Sequence, residues 1–433
     1  MKILVVTFLH VPWINSDQNG LSRRFAAYLR ALHRLGGDIT LLHIVPKAMR
    51  AAAGSLDELS RSQSEFWGVP VRVALEVRRT RSETRWTQYA AGILNVGAQP
   101  TWFSYSGADL AAAVGRRLDD KFDLVFAHQL QTMPPLLQCG RNLPPVILDL
   151  NDIEHRVLMR RAFSKPLYLG KLAQLLQVPA LFRLERRAAA AALLALVCSE
   201  ADQAYLRGVG FGDKVQVVPN SLPVPAVPPG LVRDRTVLFL GDMTYPPNRL
   251  AAERMVQEIW PMVQARVPGA RLLVAGKASD QLSAAGAGLP GAEFLGFVAD
   301  LDDLYARSRL VCCPITVGCG TRLKLVEAAS YARPIVSTRL GAEGLNFTDG
   351  QDALLRDDNS GFAAACATLL LDDALCLRLG EAARVIMKAA YDVQHVEDRI
   401  AQMILEVIGQ GTPPSQAGHL GEHVTDETGG ALV

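Results

Sequence analysis

The chain has 433 residues, 49% hydrophobic and 20% charged, with a formal net charge of +2. That length exceeds one hydrophobic core and suits two or three domains, and the composition excludes a disordered, collagen-like or coiled-coil chain. The longest clean apolar run, Ala188–Cys198, falls short of the roughly 18 residues of a membrane-spanning helix.

From the start, Met1 to His10 lacks the basic n-region, long apolar stretch and small-residue cleavage site of a signal peptide; Lys2–Phe8 reads as a buried strand. Leu21–Leu35 has helical spacing, while Asp38–His43 and Val71–Val77 read as strands and Arg78–Pro100 shows no clear period. Phe122–Ala127, Pro145–Leu150, Leu194–Cys198 and Val215–Val218 read as further buried parallel strands. The Pro-rich stretch Pro219–Gly230 cannot be helical and predicts an inter-domain linker over 221–235.

A second series follows. Strands are predicted at Val237–Leu240, Arg271–Ala275, Ala292–Gly296, Leu310–Pro314, Pro334–Thr338 and Ala353–Leu355, with helices at Leu250–Arg266, Asp303–Ser308 and Leu323–Tyr331. A last helix over 393–410 is expected to pack back on the N-terminal domain, and the Gly/Pro/Ser/Thr-rich 411–433 reads as a disordered tail. The pattern predicts an α/β protein of two Rossmann-like doubly wound domains, 1–220 and 236–392, facing across a cleft. Ligands then bind beyond the carboxyl ends of the strands.

Charge is divided unevenly. Residues 1–222 hold 27 Lys and Arg against 18 Asp and Glu, whereas 223–433 hold 18 against 25. The excess gathers in Arg156–Arg187, eight basic residues with Glu185 as their single acid and leucines between them. This stretch reads as a peripheral contact with an anionic membrane or as a solvated helix face. It holds no nucleic-acid-binding module, so no nucleic acid partner is expected. Seven cysteines without a C-x-x-C pair indicate free thiols in a reducing cytoplasm, not a disulfide framework or zinc site.

The loop His10–Gly20 lacks G-x-G-x-x-G, which argues against a nicotinamide or flavin Rossmann enzyme, and no G-x-x-x-x-G-K-[ST] occurs, which excludes a P-loop NTPase. Gly20 opens a helix whose free amides, with Arg23 and Arg24 beside them, suit an anion or simply relieve a turn. The richest segment is Pro314–Thr338. It follows a strand, turns through Gly318 and Gly320, and enters a helix at about Thr321. Small glycines let a phosphate approach the first-turn amides, with Arg322 and Lys324 adding charge. Glu327 lies three residues beyond Lys324, as an ion-pair partner or as an acceptor for sugar or ribose hydroxyls.

His128 ends one strand at its carboxyl edge. Asp152, Glu154 and His155 follow the next, where a helix cap accounts for Asp152 equally well. Asp300 in Asp300-Leu-Asp-Asp303 reads as a helix cap, and Cys312 and Cys313 alternate faces of a strand, so neither makes a metal site.

The segment Gly318-Cys-Gly-Thr-Arg-Leu-Lys-Leu-Val-Glu-Ala-Ala329, with Arg333-Pro-Ile-Val-Ser-Thr338 and Gly341-Ala-Glu-Gly-Leu345, resembles the donor motif of family 4 (group 1) retaining glycosyltransferases of GT-B fold. Phe239-Leu-Gly-Asp-Met-Thr-Tyr-Pro-Pro-Asn248, Leu273-Val-Ala-Gly276, Phe294-Leu-Gly-Phe-Val298 and Val217-Val-Pro-Asn220 are similar to other landmarks of that family. The likeness spans most of 1–408, with its specific part in the C-terminal half. The first acid of the motif falls at Cys319, as in a related branch with Gly-x-Gly-Thr-Arg-x-Lys. The usual basic pair after the first C-terminal strand is replaced by Asn248 and Arg249.

The resemblance implies a nucleotide diphosphate sugar held by Gly241, Asn248, Gly320, Thr321, Arg322, Lys324 and Glu327, with Glu327 on the ribose and no metal or other cofactor required. It implies His128 at the reaction centre and a glycan or lipid-linked acceptor, with Gly20, Arg23, Asp152 and His155 on the acceptor side. The expected setting is surface polysaccharide or glycoconjugate synthesis in the cytoplasm, peripheral on the inner face of the membrane. A non-catalytic nucleotide-sugar-binding or partner protein, or a nucleotide-sugar epimerase, are the alternatives.

Overall fold

The computed structural model describes residues 1–8, 20–78, 108–163, 174–283, 289–318 and 321–411. The loop His10–Asn19, Arg79–Pro100, residues 164–173 of the basic stretch, Cys319, Gly320 and 412–433 lie outside the described residues.

The first domain runs β1 (Lys2–Thr7), α1 (Gly20–Arg34), β2 (Asp38–Pro46), α2 (Lys47–Ala52), α3 (Leu56–Trp67), β3 (Val71–Arg78), α4 (Ala108–Leu118), β4 (Leu124–His128), α5 (Met133–Leu137), β5 (Val146–Asp149), α6 (Glu154–Phe163), α7 (Val178–Ala191), β6 (Leu194–Val197), α8 (Glu200–Gly208) and β7 (Val215–Val217). Its sheet is parallel, in the order β3-β2-β1-β4-β5-β6-β7.

The second runs β8 (Thr236–Leu240), α9 (Pro246–Arg254), α10 (Trp260–Arg266), β9 (Arg271–Ala275), β10 (Ala292–Gly296), α11 (Leu301–Ala306), β11 (Leu310–Cys313), α12 (Leu323–Ser330), β12 (Ile335–Ser337), β13 (Leu354–Leu355), α13 (Asn359–Leu371) and α14 (Asp373–Tyr391). This sheet is also parallel, β10-β9-β8-β11-β12-β13. Both sheets reverse their order of filling beside the first strand, between β1 and β4 and between β8 and β11. Loops part there and leave a crevice at the carboxyl ends.

The apolar runs make these strands because both faces are covered. Ile3 and Val5 pack with Phe25, Leu29 and Leu41, while Leu4 and Val6 pack on the opposite face with Leu42, Leu148 and Leu181. Such strands lose the alternation of half-exposed ones and read as continuous hydrophobic segments.

Three details depart from the sequence reading. The helix expected over Leu250–Arg266 starts earlier, at Pro246, and is broken by a π-helical turn, Met255–Ile259. Pro261 supplies the reason, since it has no N–H to bond the carbonyl four residues back and its ring crowds that carbonyl. The last helix, α15 (Val393–Gly411), includes Gly411, which the sequence assigned to the tail. Val396, Ile400 and Ile404 of α15 join the core around Phe25, and Glu397 pairs with Arg30 (2.5 Å) and Arg34 (2.7 Å) of α1.

The Pro-rich linker is fastened to the second domain. Arg333 donates to the carbonyls of Gly230 (2.9 Å) and Pro229 (3.2 Å), Arg384 to Pro225 (2.5 Å) and Ala226 (3.2 Å), and Arg309 to Val232 (3.1 Å). Prolines contribute acceptors without donors, so side-chain guanidinium groups do the tying.

Candidate active site

The loop after β11 and the first turn of α12 form one wall of the cleft. The helix begins at Leu323, where the spacing placed its first residue, with Arg322 at the N-cap making no side-chain hydrogen bond to the first-turn amides. Gly318 makes room for this arrangement. Its φ is +117°, and a Cβ there would lie 3.1 Å from Arg322 Nη2 and 3.3 Å from Pro247. Arg322 is thereby buried to 8% exposure under the loop, and the Thr321 hydroxyl beside it is buried without a hydrogen-bond partner.

Lys324 does not pair with Glu327, the neighbour its spacing suggested. Its ammonium donates to Asn248 Oδ1 (2.9 Å) and lies 4.7 Å from the centre of the Phe239 ring. Asn248 is fixed in turn by donating to the Asp242 carbonyl (3.0 Å). A Cβ at Gly241 would lie 2.9 Å from the ammonium and 3.0 Å from Asn248 Cγ, so a larger residue there would shift this pair. Burial, with Arg322 nearby, pulls the lysine pKa down. Among the described residues no carboxylate forms an ion pair with it.

Glu327 is held from two sides. Arg23 of α1 reaches across the cleft to Oε1 (2.5 Å), and the Tyr305 hydroxyl donates to Oε2 (3.4 Å). Gly20 belongs to the same junction, since a Cβ there would fall 2.2 Å from Leu323 Cδ1. The structure therefore places Gly20 and Arg23, expected on the acceptor side, against the donor motif. The reason is that α1 begins at the cleft, with its first turn facing α12.

The other acceptor-side residues divide. Asp152 is exposed and lines a pocket with Arg156, Arg160, Ser199, Asp202, Thr321 and Glu343 from both domains. His155, expected there too, is 2% exposed and turned inward, paired with Glu185 through Nδ1 and with the Tyr205 hydroxyl through Nε2 (2.8 Å). Both ring nitrogens are consumed by α7 and α8. Burial, with Asp152 and Glu185 close by, pushes the intervening Glu154 up to about 7.

His128 also lies beneath the surface. It has no exposed area, bonds Thr7 Oγ1 through Nδ1 (2.8 Å) and packs on Phe25 at 4.4 Å, so no face of it meets the cleft here. Burial drives its pKa down to about 4. A histidine with an unfolded pKa near 6.5 then holds fewer protons folded than unfolded between those values, so stability falls as pH drops through that window. Urea titration should show about 2 kcal/mol lost by wild type from pH 7 to pH 5 beyond that lost by His128→Gln. Equal losses would contradict the buried neutral ring.

Two features were not legible as function. Tyr305 lies within the helix predicted over Asp303–Ser308, and nothing in that segment names Glu327 as its partner. Arg156 and Arg160 were read as membrane or solvent residues; both bind Glu343 of the second domain, Arg160 by two bonds of 2.6 Å and Arg156 at 3.3 Å. Asp300 accepts from Asp303 N (3.0 Å) and caps α11, as its spacing indicated.

Comparison with known proteins bears on this geometry. Residues 19–221 match the family described as "Glycosyl transferase 4-like domain", and residues 234–372 match "Glycosyl transferases group 1". No curated protein sequence matches. Among solved structures, Anabaena HepE in complex with UDP and glucose is similar with TM-score 0.58 and 18% identity, covering 93% of this chain and 99% of that one. Sucrose-phosphate synthase from Thermosynechococcus elongatus gives 0.65 and 14%, covering 95% and 100%. S. aureus TarM, as a G117R mutant in complex with Fondaparinux, alpha-GlcNAc-glycerol and UDP, gives 0.62 and 10%, covering 94% and 99%. At these identities the structural likeness establishes the fold, two Rossmann-like domains in the GT-B arrangement. The two domain matches, which between them span most of the sequence, place glycosyltransferase domains in both halves of the chain.

Proposed function

We propose that the protein is a retaining hexosyltransferase that moves a hexose from a nucleotide diphosphate sugar to a glycan or lipid-linked acceptor. The observation carrying this reading is the Lys324 ammonium, half-buried and lacking a carboxylate partner, beside the uncapped first turn of α12. A diphosphate supplies the missing anion, accepting from Lys324, Arg322 and the amides of Leu323 and Lys324 at the start of α12. Solved structures of the same fold are complexes with UDP, which agrees with a nucleotide donor. Glu327 then takes the ribose hydroxyls, Gly241 and Asn248 keep Lys324 aimed, and Thr321 offers its hydroxyl to the phosphate.

In the transfer, the bond from the anomeric carbon to the diphosphate breaks as the acceptor hydroxyl attacks the same face. Its proton passes to the departing phosphate oxygen, so no side chain serves as a covalent nucleophile. Arg322 and Lys324 stabilise the charge that develops on the leaving group, the role for which metal would otherwise be required. Asp152, on the rim opposite, suits a hydroxyl of the acceptor. His128 lies behind this surface and supports it through Thr7 and Phe25 instead of touching sugar. The setting is surface polysaccharide or glycoconjugate synthesis at the inner face of the cytoplasmic membrane. Among the described residues, exposed Arg183, Arg186 and Arg187 of α7 are the part of the basic stretch left for lipid headgroups. No described helix is long and apolar enough to cross a membrane.

Melting curves in EDTA against nucleoside diphosphates and their sugars test the reading. One base should raise the melting temperature with its sugars, by about 2.7 kcal/mol of stabilisation at a hundredfold excess over Kd. NMR of the anomeric proton after transfer should then show the donor's configuration. A folded protein that answers to no nucleotide at millimolar concentration, or a product of inverted configuration, would refute it.

A further inference from the structure

The ion pair on Glu327 comes from the wrong domain for a purely structural role in α12. A helix stabilises its own carboxylates cheaply with a cation three or four residues away. Lys324 stands at that distance but is drawn to Asn248 and Phe239, and Arg23 reaches over from the N-terminal domain instead. The pair is well covered, with side-chain exposures of 27% and 13%. It borders a cavity of about 360 Å³ that Tyr331, Leu301 and the linker residues Ser221–Pro223 also line.

We propose that Arg23 is a positioning residue for the donor: it fixes the Glu327 carboxylate in the orientation that receives the ribose hydroxyls. Binding of the nucleoside then depends on both domains. This rests on Glu327 being the ribose acceptor. A carboxylate offers about four lone-pair sites. Arg23 takes one on Oε1 and Tyr305 one on Oε2, which leaves one on each oxygen for a pair of adjacent hydroxyls. Tyr305 cannot compete by ionising, because burial and the neighbouring carboxylate push its hydroxyl well above the ordinary range. Its ring is in turn stacked on Tyr331, centroids 4.5 Å apart and 14° from parallel. The carboxylate is thus clamped at both oxygens by groups that are themselves held.

An ion pair that merely keeps the domains together predicts something else. Its loss would alter binding of every ligand in the cleft alike, whether or not the ligand carries ribose. Calorimetric titration separates the two. The probes are UDP, GDP and ADP, their 2′,3′-dideoxy analogues and inorganic pyrophosphate, applied to wild type, Arg23→Met, Arg23→Lys and Glu327→Gln, each first checked for an unaltered melting curve. Arg23→Met should weaken the ribonucleotide that wild type binds by about tenfold, the loss of one charge-assisted contact on its acceptor. The dideoxy analogue and pyrophosphate should change by less than about twofold, and Arg23→Lys should recover part of the ribose preference. Equal weakening of all three probes, or no change in any, overturns the role for Arg23. If Glu327→Gln fails to erase the preference for ribose, the assignment of Glu327 itself falls. If Glu327→Gln erases it and Arg23→Met does not, only the positioning role falls.

Discussion

Lys324→Met should lower the turnover of donor sugar by about a hundredfold or more while leaving the melting temperature unchanged or slightly raised. The two halves of that expectation come from one environment. Among the described residues the ammonium makes one hydrogen bond, to Asn248, and faces Phe239, and burial already pulls its pKa down. Removing a partly desolvated cation relieves a cost and orphans only one amide oxygen, so stability has little to lose. Catalysis has much to lose, because in the proposed reaction this charge sits where a departing diphosphate builds up its own. Arg322→Ala and Glu327→Ala should each cut transfer at least tenfold with the fold intact. Single-turnover kinetics with melting curves on the same preparations check all three, and near-normal activity in them would remove the site.

Asp149→Ala should act in the opposite manner, destabilising the protein by about 3–5 kcal/mol. Asp149 has no exposed surface and receives Arg24 Nη2 (2.7 Å), Arg24 Nε (3.0 Å) and the Tyr28 hydroxyl (2.9 Å). Arg24 continues to the Val218 carbonyl (2.6 Å) and Asn220 Oδ1 (3.2 Å), so the network ties α1 and β5 to the start of the linker. Deleting the acid leaves a guanidinium buried without its counter-charge. Truncating both, as Arg24→Met with Asp149→Ala, should recover part of the loss, since no uncompensated charge remains. Urea midpoints for the two single variants and the double variant measure this directly. Additive losses would contradict the coupling.

The order of strands and helices was readable because buried parallel strands produce unbroken apolar runs and amphipathic helices a 3.6-residue period. The boundaries were less so. The π turn at Met255–Ile259 needed Pro261 to be weighed inside a pattern that otherwise reads as continuous helix. The donor wall was visible as a local motif, because Gly318, Arg322, Lys324 and Glu327 act from one stretch of chain. Partners from distant sequence were not visible. Nothing in the sequence says that Arg23 meets Glu327 across 304 positions, or that Arg160 meets Glu343. Charge alone labelled Arg160 as a membrane or solvent residue and set Arg23 beside an anion on the acceptor side. His155 misled for a related reason: its place after a strand suggested the cleft, while Glu185, thirty residues later on another helix, draws it inward.

A crystal structure of the protein with the nucleoside diphosphate that most raises its melting temperature tests the central claim most directly. The account predicts phosphate oxygens within hydrogen-bond distance of Lys324 Nζ, Arg322 and the first-turn amides of α12, with both ribose hydroxyls on the Glu327 carboxylate. A nucleotide seated against the first domain, with Lys324 still turned only to Asn248, would contradict it.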